Sequence, residues 1–465
     1  MIARSFTCRA VASLLLMSAG SAPLAAQPST PLTIGQAVES ALRNYPSIRV
    51  TQEQMNAAAA GIRLAQTAYL PRVDGLAQVN RATRNNVFGM LLPQSVIPSI
   101  SGPVLGSNNF GTAWGSAAGA LVTWQPFDFG LRGAQVASAT AARDRAQAAV
   151  TRTRYEVSVA TADAFLTVIA AQQTAQAARA AMDSWQVLLT SIHALVAAQL
   201  RPGADESRVQ AEMAQAQTQL AQAEQAIEVA RSTVAGFTGL NPAQIALTAG
   251  KMVDQLPPDT PQPALEAAAH PLSVEQNATI AEIESQLRSL QRTNYPEFFV
   301  QGSVSARGTG LLTDGSRLGG LNGLAPTYQN FALGLTVVFP FTDRFAIREQ
   351  EAVQNANVRA QQAQAQLIAT NLQTQFNAAR VSLAGARRVA LNTPVEVSSA
   401  RTALQQATAR YQSGLAPIDE VAQAQRLLVQ AQIDDGLARL TVWRALLEMA
   451  AARGDLRPFL AEASQ

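Results

Sequence analysis

The chain has very little cysteine, lysine or histidine, and each shortage excludes a class of function. Among 465 residues, Cys8 is the only cysteine, Lys251 is the only lysine, and His193 and His270 are the only histidines. With no second thiol and no cluster of histidine and acidic residues, the sequence predicts neither a disulfide framework nor a metal site. It also predicts no cofactor and no catalytic residue, so we do not expect an enzyme.

Charge is scarce as well. Charged residues make up 14% of the chain, against about a quarter in ordinary proteins. The net charge is +3, and the arginines are scattered rather than gathered in a basic stripe, so nucleic acid is not an expected partner. Aromatic residues account for only 5% while hydrophobic residues reach 48%. The middle of the chain is rich in alanine and glutamine, which favours helix.

The N-terminus has the pattern of an export signal. Arg4 and Arg9 precede a short apolar run, and small residues follow as far as Ala26. We expect residues 1–26 to be a cleaved signal peptide, because the apolar run is too short to span a bilayer. Cys8 would be removed with it. No later stretch reads as a transmembrane helix, so the exported chain would be periplasmic, secreted or an outer-membrane β-barrel.

The rest of the chain repeats one order of elements twice. Each copy contains a helical segment, two strands, a long helix, a short turn and a return helix. Landmark residues recur at a nearly constant shift: Tyr69-Leu70-Pro71 with Asn294-Tyr295-Pro296, Pro126-Phe127 with Pro340-Phe341, Leu200 with Leu415, Pro202 with Pro417, and Gly239 with Gly454. We therefore divide the chain into a first repeat at 27–240, a proline-rich connector at 241–271 and a second repeat at 272–465.

Two strand pairs are predicted from the alternation of side chains. The clearer pair, at 298–307 and 331–339, alternates an apolar residue with a polar or small one over the length that a tilted strand needs to cross a bilayer. A soluble hairpin with one buried face is the alternative, but the export signal and a matching pair at 72–88 and 110–124 favour the membrane. Aromatic residues at the strand ends fit either a membrane-interface belt or ordinary corner packing: Trp124, Phe127, Phe129, Phe339 and Phe341.

The long helices are predicted to form two coiled-coil hairpins. The first return helix carries a heptad seam, made of Val209, Met213, Ala216, Leu220, Ala223, Ile227, Ala230 and Val234. The equivalent seam of the second return helix is broken by Asp435. Pro394 should kink or interrupt the second long helix. A self-contained coiled-coil rod would show the same periodicity.

Together these features resemble the TolC-like outer membrane efflux protein family. The resemblance covers residues 32–458 and rests on the duplicated order, on the motifs around the strands, and on Arg410-Tyr411-x-x-Gly414-Leu415 at the second turn. It implies a mainly α fold with a membrane β-barrel portion, in which a homotrimer forms one shared barrel and an α-helical periplasmic tunnel. The residues themselves require only that several chains combine, because four strands cannot close a wide barrel.

The resemblance also implies a function and partners. It predicts a passive exit channel in the outer membrane of a Gram-negative bacterium, surrounded by outer-membrane lipid and with a long periplasmic portion. The channel would export small molecules in a tripartite efflux pump, together with a periplasmic adaptor (membrane fusion) protein and an inner-membrane transporter. The alternatives are an exit duct for type I protein secretion and a non-channel coiled-coil structural protein at the cell surface.

Both turns are candidate functional sites under this resemblance. The family closes its tunnel with polar and acidic residues at the turn ends of the return helices, which here are Asp205, Glu206, Asp419, Glu420 and Gln423. The helix dipole alone also favours acidic residues at these positions. The predicted adaptor contacts are the turns themselves: Leu200, Arg201, Pro202, Gly203, Gly414, Leu415, Ala416 and Pro417. A turn without any partner is the alternative there.

Overall fold

The computed structural model describes residues 31–83, 111–261 and 263–464. The predicted signal peptide, the end of the first predicted strand at 84–88 and the residues between the first two predicted strands lie outside these ranges. The described helices and strands are α1 (Ile34–Asn44), α2 (Pro46–Thr67), β1 (Arg72–Thr83), β2 (Thr112–Trp124), α3 (Leu131–Ala197), α4 (Gly203–Thr238), α5 (Pro271–Arg292), β3 (Glu297–Thr309), β4 (Tyr328–Val338), α6 (Asp343–Gln412), α7 (Ile418–Arg453) and α8 (Arg457–Ala463). The order α2-β1-β2-α3-α4 recurs as α5-β3-β4-α6-α7, as the sequence predicts.

The four strands form one antiparallel sheet in the order β1-β2-β3-β4. Its register keeps apolar residues on one face, since Val304 stands opposite Phe331 and Val300 opposite Leu335. Phe331 is 86% exposed, so this apolar face has little cover from the described chain. The opposite face carries mainly polar and small residues, such as Gln301, Ser303 and Ser305, together with Leu121 and Phe299. Strands β1 and β4 are the two edges, and a single chain leaves both open.

Both predicted helical hairpins are present. Helices α3 and α4 pack together as one hairpin, α6 and α7 as the other, and α3 also contacts α7. On the sheet side, α5 lies against both α3 and α6, while α2 packs against α3. The connector crosses one side of the bundle, where the indole of Trp443 donates to the carbonyl of Gln255 at 3.2 Å. In the described part of the chain, no helix is long and apolar enough to cross a membrane.

The predicted seam is the buried stripe of α4. Every seventh residue of it is buried: Val209, Ala216, Ala223 and Ala230. In α7 the seam passes through Asp435 without breaking, because the hydroxyl of Thr393 donates to this carboxylate at 2.7 Å and Arg439 donates to it as well. A carboxylate with both oxygens partnered can lie in a helix interface.

Helix α6 continues through Pro394 as one helix, so the predicted interruption is absent. Proline costs one backbone hydrogen bond in a helix interior. Here the neighbouring Thr393 is buried and its hydroxyl donates to Asp435 of α7, so this part of α6 is held against the second return helix.

Candidate functional site at the two turns

The two turns have the same backbone although their sequences differ. In each turn, the second residue after the long helix has a left-handed backbone conformation. This residue is Gln199, with φ 59°, in the first turn and Gly414, with φ 75°, in the second. The N–H of the following leucine then donates back to the helix, over 2.9 Å for Leu200 and 2.8 Å for Leu415. A glycine accepts this conformation freely, whereas a glutamine carries a cost of about 1 kcal/mol.

The leucines are the most prominent side chains of the turns. Leu200 is 70% exposed and Leu415 is 73% exposed. Most of the other predicted contact residues are exposed too, namely Pro202, Gly203, Gly414 and Pro417. Two differ: Ala416 is buried, and Arg201 is half-buried because it reaches across to the other turn. The predicted contact surface therefore consists mainly of two apolar tips.

Tyr411 connects the two turns. Its hydroxyl donates to Oδ2 of Asp205 at 2.9 Å. The guanidinium of Arg201 lies 4.4 Å from the centre of its ring and also donates to its backbone carbonyl. Burial, followed by the bond to Asp205, raises the pKa of Tyr411 to about 12. The tyrosine therefore stays a hydrogen-bond donor at physiological pH, and one residue of the second hairpin is held by an acid and a base of the first.

Three other predicted residues lie beside their own turns. Glu206 meets Nδ1 of His193 at 2.8 Å. Glu420 lies 3.5 Å from Nε of Arg410, and Gln423 is exposed. Both acidic residues thus have a partner within their own hairpin, and neither joins the two hairpins in this structure.

A second set of contacts joins the return helices, and sequence analysis identified only one of its members. Asp419 lies 3.4 Å from Nη2 of Arg208. The carboxylate of Glu212, which is buried, lies 3.5 Å from both Arg208 and Arg426. The i,i+4 spacing of Arg208 and Glu212 was the available signal. Beyond these charges a cavity of about 440 Å³ lies between α3, α4 and α7, so the ion pairs mark the last contact of the return helices before this cavity.

One protein-family model matches this chain, within the first repeat. Residues 37–240, which include the first turn, match the family model described as outer membrane efflux protein. No curated protein matches the chain in sequence.

Several solved structures share the fold. The chain is similar to the Vibrio cholerae outer membrane protein VceC, with a TM-score of 0.70 and 17% identity over 91% of this chain and 96% of that one. The Neisseria gonorrhoeae MtrE outer membrane channel in its open state gives 0.71 and 15% over 91% and 89%. The Campylobacter jejuni CmeC outer membrane channel gives 0.70 and 13% over 93% and 89%.

These matches confirm the predicted resemblance to the outer membrane efflux protein family. They also confirm the predicted chain fold, which is mainly α with a duplicated helix–strand–strand–hairpin unit.

Proposed function

We propose, from the resemblance to outer membrane efflux proteins, that this protein is a passive exit channel that exports small molecules across the outer membrane. The observation that carries the proposal is the four-stranded sheet, which has an exposed apolar face and two open edges. An exposed apolar face suits lipid, and open edges suit pairing with further chains.

A homotrimer would satisfy these edges. Three four-stranded sheets would close a barrel of about twelve strands, with β1 of one chain beside β4 of the next. The helices support the same arrangement, because the part of α6 near the sheet exposes Val353 and Leu367, and α2 exposes Val50 and Leu64. Packing α6 of one chain on α2 of its neighbour would cover both surfaces.

The helices would form a tunnel through the periplasm. Helix α3 has 67 residues, which corresponds to about 100 Å. The turns would then lie far from the membrane, where Leu200 and Leu415 would contact a periplasmic adaptor protein. An inner-membrane transporter would supply the energy. A coiled-coil rod at the cell surface is less favoured, because a rod has no use for a sheet with an exposed apolar face.

The contact of Tyr411 with Asp205 and Arg201 would hold the tunnel mouth closed. Opening would move the second hairpin away from the first, so it would have to break this hydrogen bond and the stacked guanidinium. Removing the bond should therefore favour the open mouth, by about 1 kcal/mol for one neutral hydrogen bond and somewhat more for a charged acceptor.

Conductance in planar bilayers tests the proposal. We expect the full-length protein, extracted in detergent, to form discrete channels, and we expect Tyr411→Phe and Asp205→Asn to raise their conductance or open fraction. Asp183→Asn is the matched control, since Asp183 is an exposed acid of α3 away from the turn. A protein that forms no channel would contradict the proposed function, whereas channels unaffected by either substitution would contradict only the closing role of Tyr411.

A further inference from the structure

The first strand-to-helix corner is closed by a buried ion pair. The carboxylate of Asp128 accepts from the backbone N–H of Gly130 at 3.0 Å, and from the N–H and Nε of Arg132 at 2.8 and 2.7 Å. The guanidinium of Arg132 covers the ring of Tyr69 at 4.8 Å. Both charges of this corner are therefore paired with each other and shielded from solvent.

The second corner has no such pair. The shift of 214 that aligns Pro126-Phe127 with Pro340-Phe341 places Thr342 at the position of Asp128 and Ala346 at that of Arg132. A cavity of about 460 Å³ lies at this second corner, between the end of α5, the start of β3 and the first turns of α6. The two copies of one unit therefore differ here in whether their corner is filled.

Two arginines line this cavity. Arg344 and Arg348 stand one helical turn apart on α6, and both are exposed. Within the described residues, no carboxylate oxygen lies within 4.0 Å of either guanidinium. The one acidic residue of the cavity, Glu351, accepts from Nδ2 of Asn294 at 3.4 Å. The cavity lining therefore carries two arginines and one carboxylate, and within the described residues neither guanidinium is in an ion pair, so the lining has a net positive charge.

Exposed aromatic residues lie next to the arginines in the sequence. Phe341 is 74% exposed and Phe345 is 77% exposed, and the ring of Phe339 stacks on that of Phe341 at 5.6 Å. These rings continue the exposed apolar face of β4 onto the start of α6. A free anion in water would gain nothing from such a surface, whereas a phospholipid would lay its acyl chains on it.

We propose that the second corner binds the phosphate of an anionic phospholipid in the inner leaflet of the outer membrane. Arg344 and Arg348 would share the phosphate oxygens in charge-assisted hydrogen bonds, while Phe341 and Phe345 contact the first acyl carbons. A headgroup with a free ammonium is disfavoured, because two arginines would repel it. This inference rests on the proposed function, since it requires the barrel to be in the outer membrane.

Lipid retention tests the site. Full-length protein is extracted in mild detergent, stripped of lipid and titrated with phosphatidylglycerol, and bound lipid is counted by native mass spectrometry. We expect the double variant R344Q/R348Q to retain about tenfold less phosphatidylglycerol than the wild type. The control is R359Q, which removes another exposed arginine of α6 and should retain lipid as the wild type does.

Two further arms identify the ligand. Phosphatidylglycerol should raise the thermal unfolding midpoint of the wild type but not that of R344Q/R348Q, and inorganic phosphate should raise neither. Equal retention by all variants, or a full effect of inorganic phosphate alone, would overturn the inference. Bilayer conductance of the same samples distinguishes failure of the lipid site from failure of the proposed channel function. If the wild type forms channels but R344Q/R348Q retains as much phosphatidylglycerol as the wild type, only the lipid site is contradicted.

Discussion

In the first repeat, the long helix α3 has a neighbour on both flanks, α2 and α5, whereas in the second repeat α6 has α5 on one flank only. The two strand-to-helix corners also differ, and again the first repeat has the more complete internal contacts. The first is closed by Asp128 and Arg132, and the second is an open cavity. The long helix and its corner thus have their contacts completed inside the chain in the first repeat but not in the second.

This difference shows how a duplicated unit can take two roles. The exposed apolar residues of α6, such as Val381 and Leu391, would be a liability in a finished monomer. They make sense if the second repeat carries the surface that meets the next chain. The first repeat contributes its open β1 edge and the exposed face of α2 to that contact. Its long helix α3 and its corner are supported inside the chain, so substitutions there should affect stability more than assembly.

The largest expected effect is at the closed corner. Asp128→Asn would leave Arg132 buried without a counter-charge, which costs about 3–5 kcal/mol. Asp343→Asn, at an exposed acid of the open corner, should cost less than about 0.5 kcal/mol. Thermal unfolding of the extracted protein would measure both. Equal midpoints for the two variants would remove the distinction between the corners.

The pH dependence of this corner follows from the same contacts. Burial alone would raise the pKa of Asp128, but the hydrogen bonds from Arg132 and Gly130 outweigh burial and lower it. The stabilisation is therefore fully present above the ordinary carboxyl pKa and is lost as the pH falls through the lower folded value. Unfolding midpoints taken down an acid series should fall less steeply in Asp128→Asn than in the wild type.

An intermediate effect on stability is expected at the ion pairs between the return helices α4 and α7. Glu212→Gln would leave Arg208 and Arg426 close together with no carboxylate between them, at a cost of about 1–3 kcal/mol. Glu224→Gln is the control, because Glu224 forms an exposed pair with Arg179 at 2.8 Å and such pairs contribute little. Proteolysis at the turns would report loosening of the return helices, and similar cleavage rates in both variants would argue against the role of Glu212.

The smallest expected effect is on the stability of the turns, and it has opposite signs in the two repeats. Gln199→Gly should stabilise the first turn by up to about 1 kcal/mol, and Gly414→Gln should destabilise the second by a similar amount. Hydrogen exchange of the turn amides would measure both. A loss of protection in Gln199→Gly would mean that the glutamine side chain makes a compensating contact.

Much of the architecture could be predicted because its signals are local or repeated. The seam of α4 is visible as a spacing of three and four residues, and the duplication is visible as a constant shift. The prediction that Asp435 breaks the seam was wrong, because the contact that accommodates this residue, with Thr393, spans 42 residues. Spacing along the chain does not contain that information.

The candidate site could be predicted only in part for the same reason. Tyr411 and Asp205 were both singled out, one in a motif and one as an acid, but the bond between them crosses 206 residues. Glu212 and Arg426 were missed because each looks like an ordinary charged residue of an exposed helix face. Glu212 and Arg426 are brought together only by the packing of the two hairpins against each other.

The open edges of the sheet have a genetic consequence if three chains close one barrel. A copy whose β4 edge cannot pair would spoil every ring that it enters, whatever its two companions are. In a cell that makes intact and defective subunits in equal amounts and mixes them freely, about one ring in eight would contain only intact subunits. A substitution that disables the β4 edge would therefore be dominant-negative when it is expressed together with the intact gene, whereas deletion of the gene would not be.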